Sequence, residues 1–438
     1  MRHLTELDAL YAFLAAAAVT ALLTPVTMRF ATAVGAIDNP RERGLSDRAT
    51  PLLGGLAIFA GALVAGLIWL PGSRLWHGVL LGAGLITLVG ALDDRLDLPP
   101  AVKLGGQLAA AVIVVHYGVI VHFITLPFLG RLSFPNAGGA VTVVGLVGLM
   151  NVVNFSDGVD GLAAGVCAII AAALAVVAFD LDRGAPGVLA ALTAGAALGF
   201  LVHNFPPASS FMGDCGSNLL GLLMGCLTVE GAVKTPIVVS FVLPLILLAV
   251  PFLDTTFVVL KRLKYRRPIY ESDSEHFHHR MARIGFSRRR TVAYLYAWTL
   301  MLAGLALALR FVPYSDHHGH LHTGWSLVMG ALGLLVAAAS VYLVYVLEIL
   351  KFRRLDTIRL RRLRPDASLE EIERSVSQDL ETGEFEAIAP AADEQPAATA
   401  VALEQPPLEQ RAPEPPPAPE PPPATDPASA TGPRAAGG

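Results

Sequence analysis

Long apolar runs broken by short polar clusters set the pattern of the chain. Leu10 to Ala33, Trp76 to Leu92 and Trp325 to Leu347 are each near the ~20 residues that carry a helix across a ~30 Å hydrocarbon core. Applied along the whole chain, the same length rule predicts about eleven spans. They fall near residues 9–31, 52–70, 76–92, 103–122, 139–153, 161–179, 187–204, 217–230, 236–260, 291–312 and 324–349. The segments 139–153 and 217–230 are short and either Gly-rich or flanked by acids. Between the fourth and fifth spans, Phe123 to Asn136 alternates apolar residues about a Leu129-Gly130-Arg131 tip, which predicts a small β-hairpin. The fold class expected is an all-α polytopic membrane protein with one hairpin between spans.

Composition strengthens that reading. Of 438 residues, 54% are hydrophobic and only 16% charged, against roughly 25% charged in a soluble domain. The net charge of −4 matters less than its segregation along the chain. With the N-terminus outside, the inside loops hold Arg41, Arg43, Arg48, Arg95, a dense group from Lys261 to Arg290, and Lys351 to Arg364. The outside loops then hold only Arg74, Arg131, Arg183 and Lys234. The bias of Lys and Arg toward the cytoplasm therefore places the N-terminus outside and the C-terminus inside. Such a chain belongs in the inner (cytoplasmic) membrane, crossing it many times.

The first apolar block lacks a basic start followed by a small-residue cleavage site and reads as a spanning helix. Cys167, Cys215 and Cys226 lie in or beside apolar segments without a C-x-x-C pair, so they read as small hydrophobes. Three regions follow: a membrane domain over 1–350, a basic segment with a short helix over 351–388, and a Pro/Ala/Glu-rich tail over 389–438. Ser368-Leu-Glu-Glu371 has the form of a capping box. The tail carries too few large apolar residues to offset its ordering entropy, and disorder is expected there.

Four polar clusters interrupt the apolar pattern, and the predicted topology puts all four at cytoplasmic helix ends. They are Asp93-Asp94-Arg95-Leu96-Asp97, Asn154-Phe-Ser-Asp157-Gly-Val-Asp160-Gly161, Gly213-Asp214-Cys-Gly-Ser217, and His276-Phe-His278-His279-Arg280. Adjacent carboxylates at a membrane boundary are costly unless paired, hydrated or bound to a cation. A hard cation such as Mg²⁺ takes oxygen ligands, typically one or two carboxylates completed by substrate phosphates. Asp214 and Asn154 offer further oxygens, the neighbouring glycines allow a phosphate close to the backbone, and the His/Arg group offers donors to phosphate oxygens. Taken singly, each cluster also reads as a solvated loop, a turn or a helix cap. Their convergence on one side points to a site where two phosphorylated substrates meet over a metal.

These motifs resemble the polyprenyl-phosphate N-acetylhexosamine-1-phosphate transferase family, known as glycosyltransferase family 4. The resemblance runs from Asp38-Asn-Pro40 and Thr50-Pro-Leu-Leu-Gly-Gly55 through Asn154 to Gly165 and Phe211 to Gly221 to the histidine motif. The Asp-Asp-x-x-Asp-Leu and His-x-His-His-Arg forms are similar to the branch that transfers GlcNAc 1-phosphate. One departure is the first inside loop, where Gly44 and Ser46 stand at positions that are often Lys and His in the family. If that loop contacts a phosphate, Arg43 or Arg48 takes over the contact, or the acceptor end differs.

The resemblance implies transfer of N-acetylglucosamine 1-phosphate from UDP-GlcNAc to undecaprenyl phosphate or another polyprenyl phosphate, with UMP released on the cytoplasmic face. It implies Mg²⁺, with Mn²⁺ as a substitute, held by Asp214 and Asn154. Asp93, Asp94 and Asp157 become the catalytic candidates. Asp160, His276, His278, His279 and Arg280 become the substrate-binding ones. The partners implied are the UDP-sugar, the lipid phosphate and the membrane, with no nucleic acid, and a second copy in a homodimer is open. The nearest alternative is transfer of phospho-N-acetylmuramoyl-pentapeptide or another UDP-N-acetylhexosamine. A transporter would want ionisable residues at mid-membrane and inverted repeats. An inactive scaffold would have no need of intact acidic motifs. The run Ser315 to His322 falls in an outside loop, apart from this chemistry.

Overall fold

A computed structural model describes residues 4–38, 49–126, 130–232, 287–313 and 322–349. These residues form ten α-helices and two small β-pairs. In chain order they are α1 (Glu6–Val34), β1 (Ile37–Asp38), β2 (Thr50–Pro51), α2 (Gly54–Trp69), α3 (Arg74–Leu96), α4 (Pro100–His116), β3 (Phe123–Leu126), β4 (Gly130–Ser133), α5 (Gly138–Ser156), α6 (Leu162–Asp180), α7 (Gly184–Asn204), α8 (Gly213–Leu227), α9 (Arg288–Phe311) and α10 (Thr323–Ile349). A π-turn over Thr228–Ala232 extends α8.

Ten of the eleven predicted spans coincide with these helices, and the segment 236–260 lies outside the described residues. Seven helices (α1, α3, α5, α6, α7, α9 and α10) are long and apolar enough to cross a membrane, while α2 and α4 are shorter apolar helices. The predicted span 103–122 starts earlier, at Pro100, and stops at His116. The start follows from Pro100 at the first helical position, where a missing N–H costs nothing. The hairpin forms, but its turn differs from the predicted tip. Leu126 pairs with Gly130 and Thr125 with Arg131, so both Gly130 and Arg131 belong to the strand.

Local chemistry explains several helix ends. Thr5 and Asp8 make a reciprocal capping box at the start of α1, and Gly35 ends it with φ 76°. Pro25 inside α1 has no N–H for the carbonyl of Ala21, and His203 Nε2 of α7 meets that carbonyl at 3.0 Å. The carbonyl only accepts, so Nε2 carries the proton.

The centre of the bundle is α8, buried continuously from Cys215 to Leu227 and packed on α2, α3, α5, α6 and α7. It is entered by a backbone splice. The Gly54 and Gly55 N–H groups, unsatisfied at the start of α2, donate to the Phe211 and Met212 carbonyls at 3.0 and 2.9 Å, while Phe211 N donates to the Pro51 carbonyl at 3.0 Å. Gly55 lies against the backbone of Gly216, and Gly90 of α3 against that of Asp214 and Cys215. A Cβ at Gly90 would overlap those backbone atoms, so α3 and α8 touch main chain to main chain.

Candidate active site

The ends of α3, α5 and α7 and the starts of α4, α6 and α8 gather at one end of the bundle. Asp93, Asp94, Lys103, Asn154, Asp157, Asp160 and Asp214 all lie there. The α3–α8 approach at Gly90 brings the Asp94 carboxylate over the start of α8. It accepts from Asp214 N at 2.7 Å and from Cys215 N at 3.2 Å. A carboxylate from another helix thus does the work of a capping residue, answering two unsatisfied donors at the positive end of α8. Gly213 makes room for it: its φ is 67°, and any Cβ would collide with the same carboxylate.

Asp93, one residue earlier, points elsewhere. It accepts from Leu98 N at 2.8 Å and pairs with Lys103 Nζ at 2.6 Å. The ammonium also reaches Asp214 at 3.5 Å. Lys103 therefore bridges the two carboxylates, on a side chain 36% exposed against 5% for Asp93. The sequence reading did not single out Lys103. Its signal was a lone cation at the first position of an otherwise apolar span, which alone also fits a snorkelling boundary residue.

Asp214 is held from the other side by Asn154, whose Nδ2 donates to Asp214 Oδ1 at 2.8 Å and to Ser217 Oγ at 2.9 Å. Asn154 orients Asp214 in this arrangement. Asp157 follows the end of α5; its N–H donates to the Asn154 carbonyl at 3.1 Å, and its carboxylate makes no hydrogen bond among the described residues. Burial first, then the charges of Asp214, Asp94 and Asp160, push its carboxyl well above the ordinary value of 3.8. Asp160 is tied into the scaffold. Its Oδ2 accepts from Ala208 N at 3.0 Å and lies 3.7 Å from Arg288.

The loop from Asp157 to Gly161 is fixed on several sides. Asn204 at the end of α7 accepts from Gly161 N at 2.9 Å and donates to the Ser210 carbonyl at 2.8 Å. From α9, the Tyr296 hydroxyl donates to the Gly161 carbonyl and Arg289 Nε to the Pro206 carbonyl. Asn204, Arg288, Arg289 and Tyr296 were not predicted; no local motif marks them, and only the tertiary fold brings them here. His276, His278, His279 and Arg280, with Arg43, Gly44, Ser46 and Arg48 of the first loop, lie outside the described residues. So do the 315–321 part of the outside-loop run and everything after residue 349.

The donor set is all oxygen: Asp93, Asp157 and Asp214, with the Asn154 amide oxygen nearby. No group of three His, Cys, Asp or Glu side chains converges as a closed metal cage among the described residues. An open array of carboxylates, one of them without a hydrogen-bond partner among the described residues, fits a hard cation that keeps waters, uses one or two of them and takes substrate phosphates as its remaining ligands.

A sequence profile of glycosyl transferase family 4 matches residues 76–232, the stretch that holds all these acidic groups. A Bacillus subtilis protein named "Probable undecaprenyl-phosphate N-acetylglucosaminyl 1-phosphate transferase" is 35% identical over 309 residues, covering 68% of this chain and 84% of the relative. A decaprenyl-phosphate N-acetylglucosaminephosphotransferase of Mycolicibacterium smegmatis is 34% identical, covering 68% and 82%. A phospho-N-acetylmuramoyl-pentapeptide-transferase of Moorella thermoacetica is 31% identical, covering 69% and 99%. With its acidic motifs gathered at one end of an apolar bundle, and these relatives matched over most of their lengths, the chain belongs to glycosyl transferase family 4, the polyprenyl-phosphate N-acetylhexosamine-1-phosphate transferases.

Proposed function

We propose that this protein transfers N-acetylglucosamine 1-phosphate from UDP-GlcNAc to a polyprenyl phosphate, undecaprenyl phosphate being the first candidate, at the cytoplasmic face of the inner membrane. An oxygen of the lipid phosphate attacks the β-phosphorus of the UDP-sugar. The bond from that phosphorus to the bridging oxygen breaks, and UMP leaves with the bridging oxygen. One diphosphate replaces another, so positioning and charge neutralisation carry the catalysis.

The observation that carries this reading is the Asp93–Lys103–Asp214 bridge beside the Asp157 carboxylate, which makes no hydrogen bond among the described residues. Two phosphorylated substrates bring several negative charges into a site that already holds carboxylates. Lys103 supplies one fixed positive charge at their meeting point. Asp214, steadied by Asn154, and Asp157 would hold a Mg²⁺ ion, which when bound neutralises phosphate oxygens and aligns the two substrates. A phosphate monoester has a second pKa near ~6, so a general base has little to do at neutral pH. Asp93 therefore serves to hold Lys103 and the metal shell. Asp94, with both oxygens on α8, fixes the direction of that helix. Asp160, braced by Arg288, shapes the loop that receives the nucleotide, and the His276–Arg280 motif meets the diphosphate.

The similarity to the Moorella protein supports a second reading, with UDP-MurNAc-pentapeptide as donor. Purified protein in detergent, given undecaprenyl phosphate, Mg²⁺ and either donor, separates the two by UMP release. EDTA-sensitive release with UDP-GlcNAc is expected. Release with the pentapeptide donor alone would keep the family and replace the donor; release that survives EDTA would remove the metal.

A further inference from the structure

A second polar layer lies one helical turn deeper than the site, in the apolar part of the bundle. Gln107 follows Lys103 by four residues on α4, Asn218 follows Asp214 by four on α8, and Asn151 precedes Asn154 by three on α5. That spacing stacks each amide beneath its site residue on the same helix face. The three amides bond from helix to helix, and the Gln107–Asn151 pair is reciprocal, with Gln107 Nε2 donating back to Asn151 Oδ1 at 3.5 Å. Asn151 Nδ2 donates to Gln107 Oε1 at 2.8 Å, Gln107 Nε2 to Asn218 Oδ1 at 2.8 Å, and Asn218 Nδ2 to the Asp214 carbonyl at 2.9 Å. Asn151 is anchored in turn on the Val147 carbonyl of its own helix at 2.8 Å.

Gln107 and Asn218 are only 7% and 5% exposed. Buried amides are costly unless fully bonded, and apolar side chains of the same size would fill this space at no loss of packing. What amides add is direction. Apolar contacts tolerate small rotations and slips, whereas a linked set of amide hydrogen bonds across three helices is satisfied in one register. The run ends on the backbone of Asp214, and its middle member shares a helix face with Lys103. The register it selects is therefore the one that sets Lys103 against Asp214 and Asp93.

We propose that Gln107, Asn151 and Asn218 are positioning residues, a three-helix register lock that keeps Lys103 and Asp214 opposed during the transfer proposed above, on which this inference rests. The test uses Gln107→Met, Asn151→Leu and Asn218→Leu, singly and combined, in the purified full-length protein. Two readouts are taken: kcat and KM for UDP-GlcNAc, and the distance distribution between spin labels at Val102→Cys on α4 and Val144→Cys on α5. Both label positions are exposed and the three native cysteines are buried.

Each single variant is expected to lower kcat by at least about tenfold with KM within about threefold, because misplaced groups lose rate more than binding. The triple variant loses no more than about threefold beyond the worst single one, since the residues act as one unit. Its label distances broaden or shift. It leaves none of the three amides unpaired, so it keeps the test alive where a single variant fails to fold. A triple variant with wild-type label distances and wild-type kcat overturns the lock. If the unsubstituted protein releases no UMP from UDP-GlcNAc, the functional reading fails instead, and the label distances alone still decide whether the lock exists.

Discussion

Lys103 and Asp214 answer each other, and removing either should move the metal requirement in opposite directions. Asp214→Asn keeps the shape and an acceptor for Asn154 but discards the charge. We expect it to lower kcat by about a hundredfold or more and to raise the Mg²⁺ needed for half-maximal rate, as loss of a metal-site group does. Lys103→Met removes the ammonium that pairs with Asp93 and reaches Asp214. It should also lower kcat by about a hundredfold, as loss of one charge-stabilising donor does. Its half-saturating Mg²⁺ should fall, because a competing cation has gone. UMP release measured against Mg²⁺ concentration reads both. Parallel shifts in the two variants would sink the division of roles. At this scale the acidic motifs were legible in the sequence because each is a local run in an apolar setting. Lys103, Asn204 and Tyr296 were not, because nothing beside them in sequence marks what they meet.

At the scale of elements, the site depends on how closely α3 and α8 approach. Gly90 faces the backbone of Asp214 and Cys215, while Gly148 on α5 has open space where a Cβ would go. Alanine should therefore act oppositely at the two positions. Gly90→Ala must push α3 from α8 and lift Asp94 off its two amides, destabilising by about 1–3 kcal/mol as overpacking does. Gly148→Ala should be neutral or stabilising by up to about 1 kcal/mol through helix propensity. Thermal unfolding in detergent compares them, and equal melting temperatures would refute the close contact. Helix positions were readable from run length alone. Their ends were less so: Pro100 moved the start of α4, and the hairpin pairing put Gly130 and Arg131 in the strand.

For the whole molecule, the asymmetry of Lys and Arg predicts an orientation that can be tested. With the N-terminus outside, the turn before α3 is external and the start of α4 cytoplasmic. Gly72→Cys and Ala101→Cys lie at exposed positions on these opposite ends. A membrane-impermeant maleimide on intact cells should label the first, and the second only after permeabilisation; the reverse pattern would invert the topology and move the active site outside. The native cysteines are buried and leave the background low. What the sequence by itself determined is the class of molecule, most of its spans, and the set of acidic motifs. Each of these is written in runs of neighbouring residues, either apolar length or polar density. What only the tertiary structure decided is the division of labour among those acids. Asp93 and Asp94 are adjacent in sequence and equivalent in composition. Helical rotation turns one toward Lys103 and the other onto the start of α8, and a glycine contact far along the chain makes the second position possible. Direction and distance between helices are properties of packing, which no local run of residues encodes.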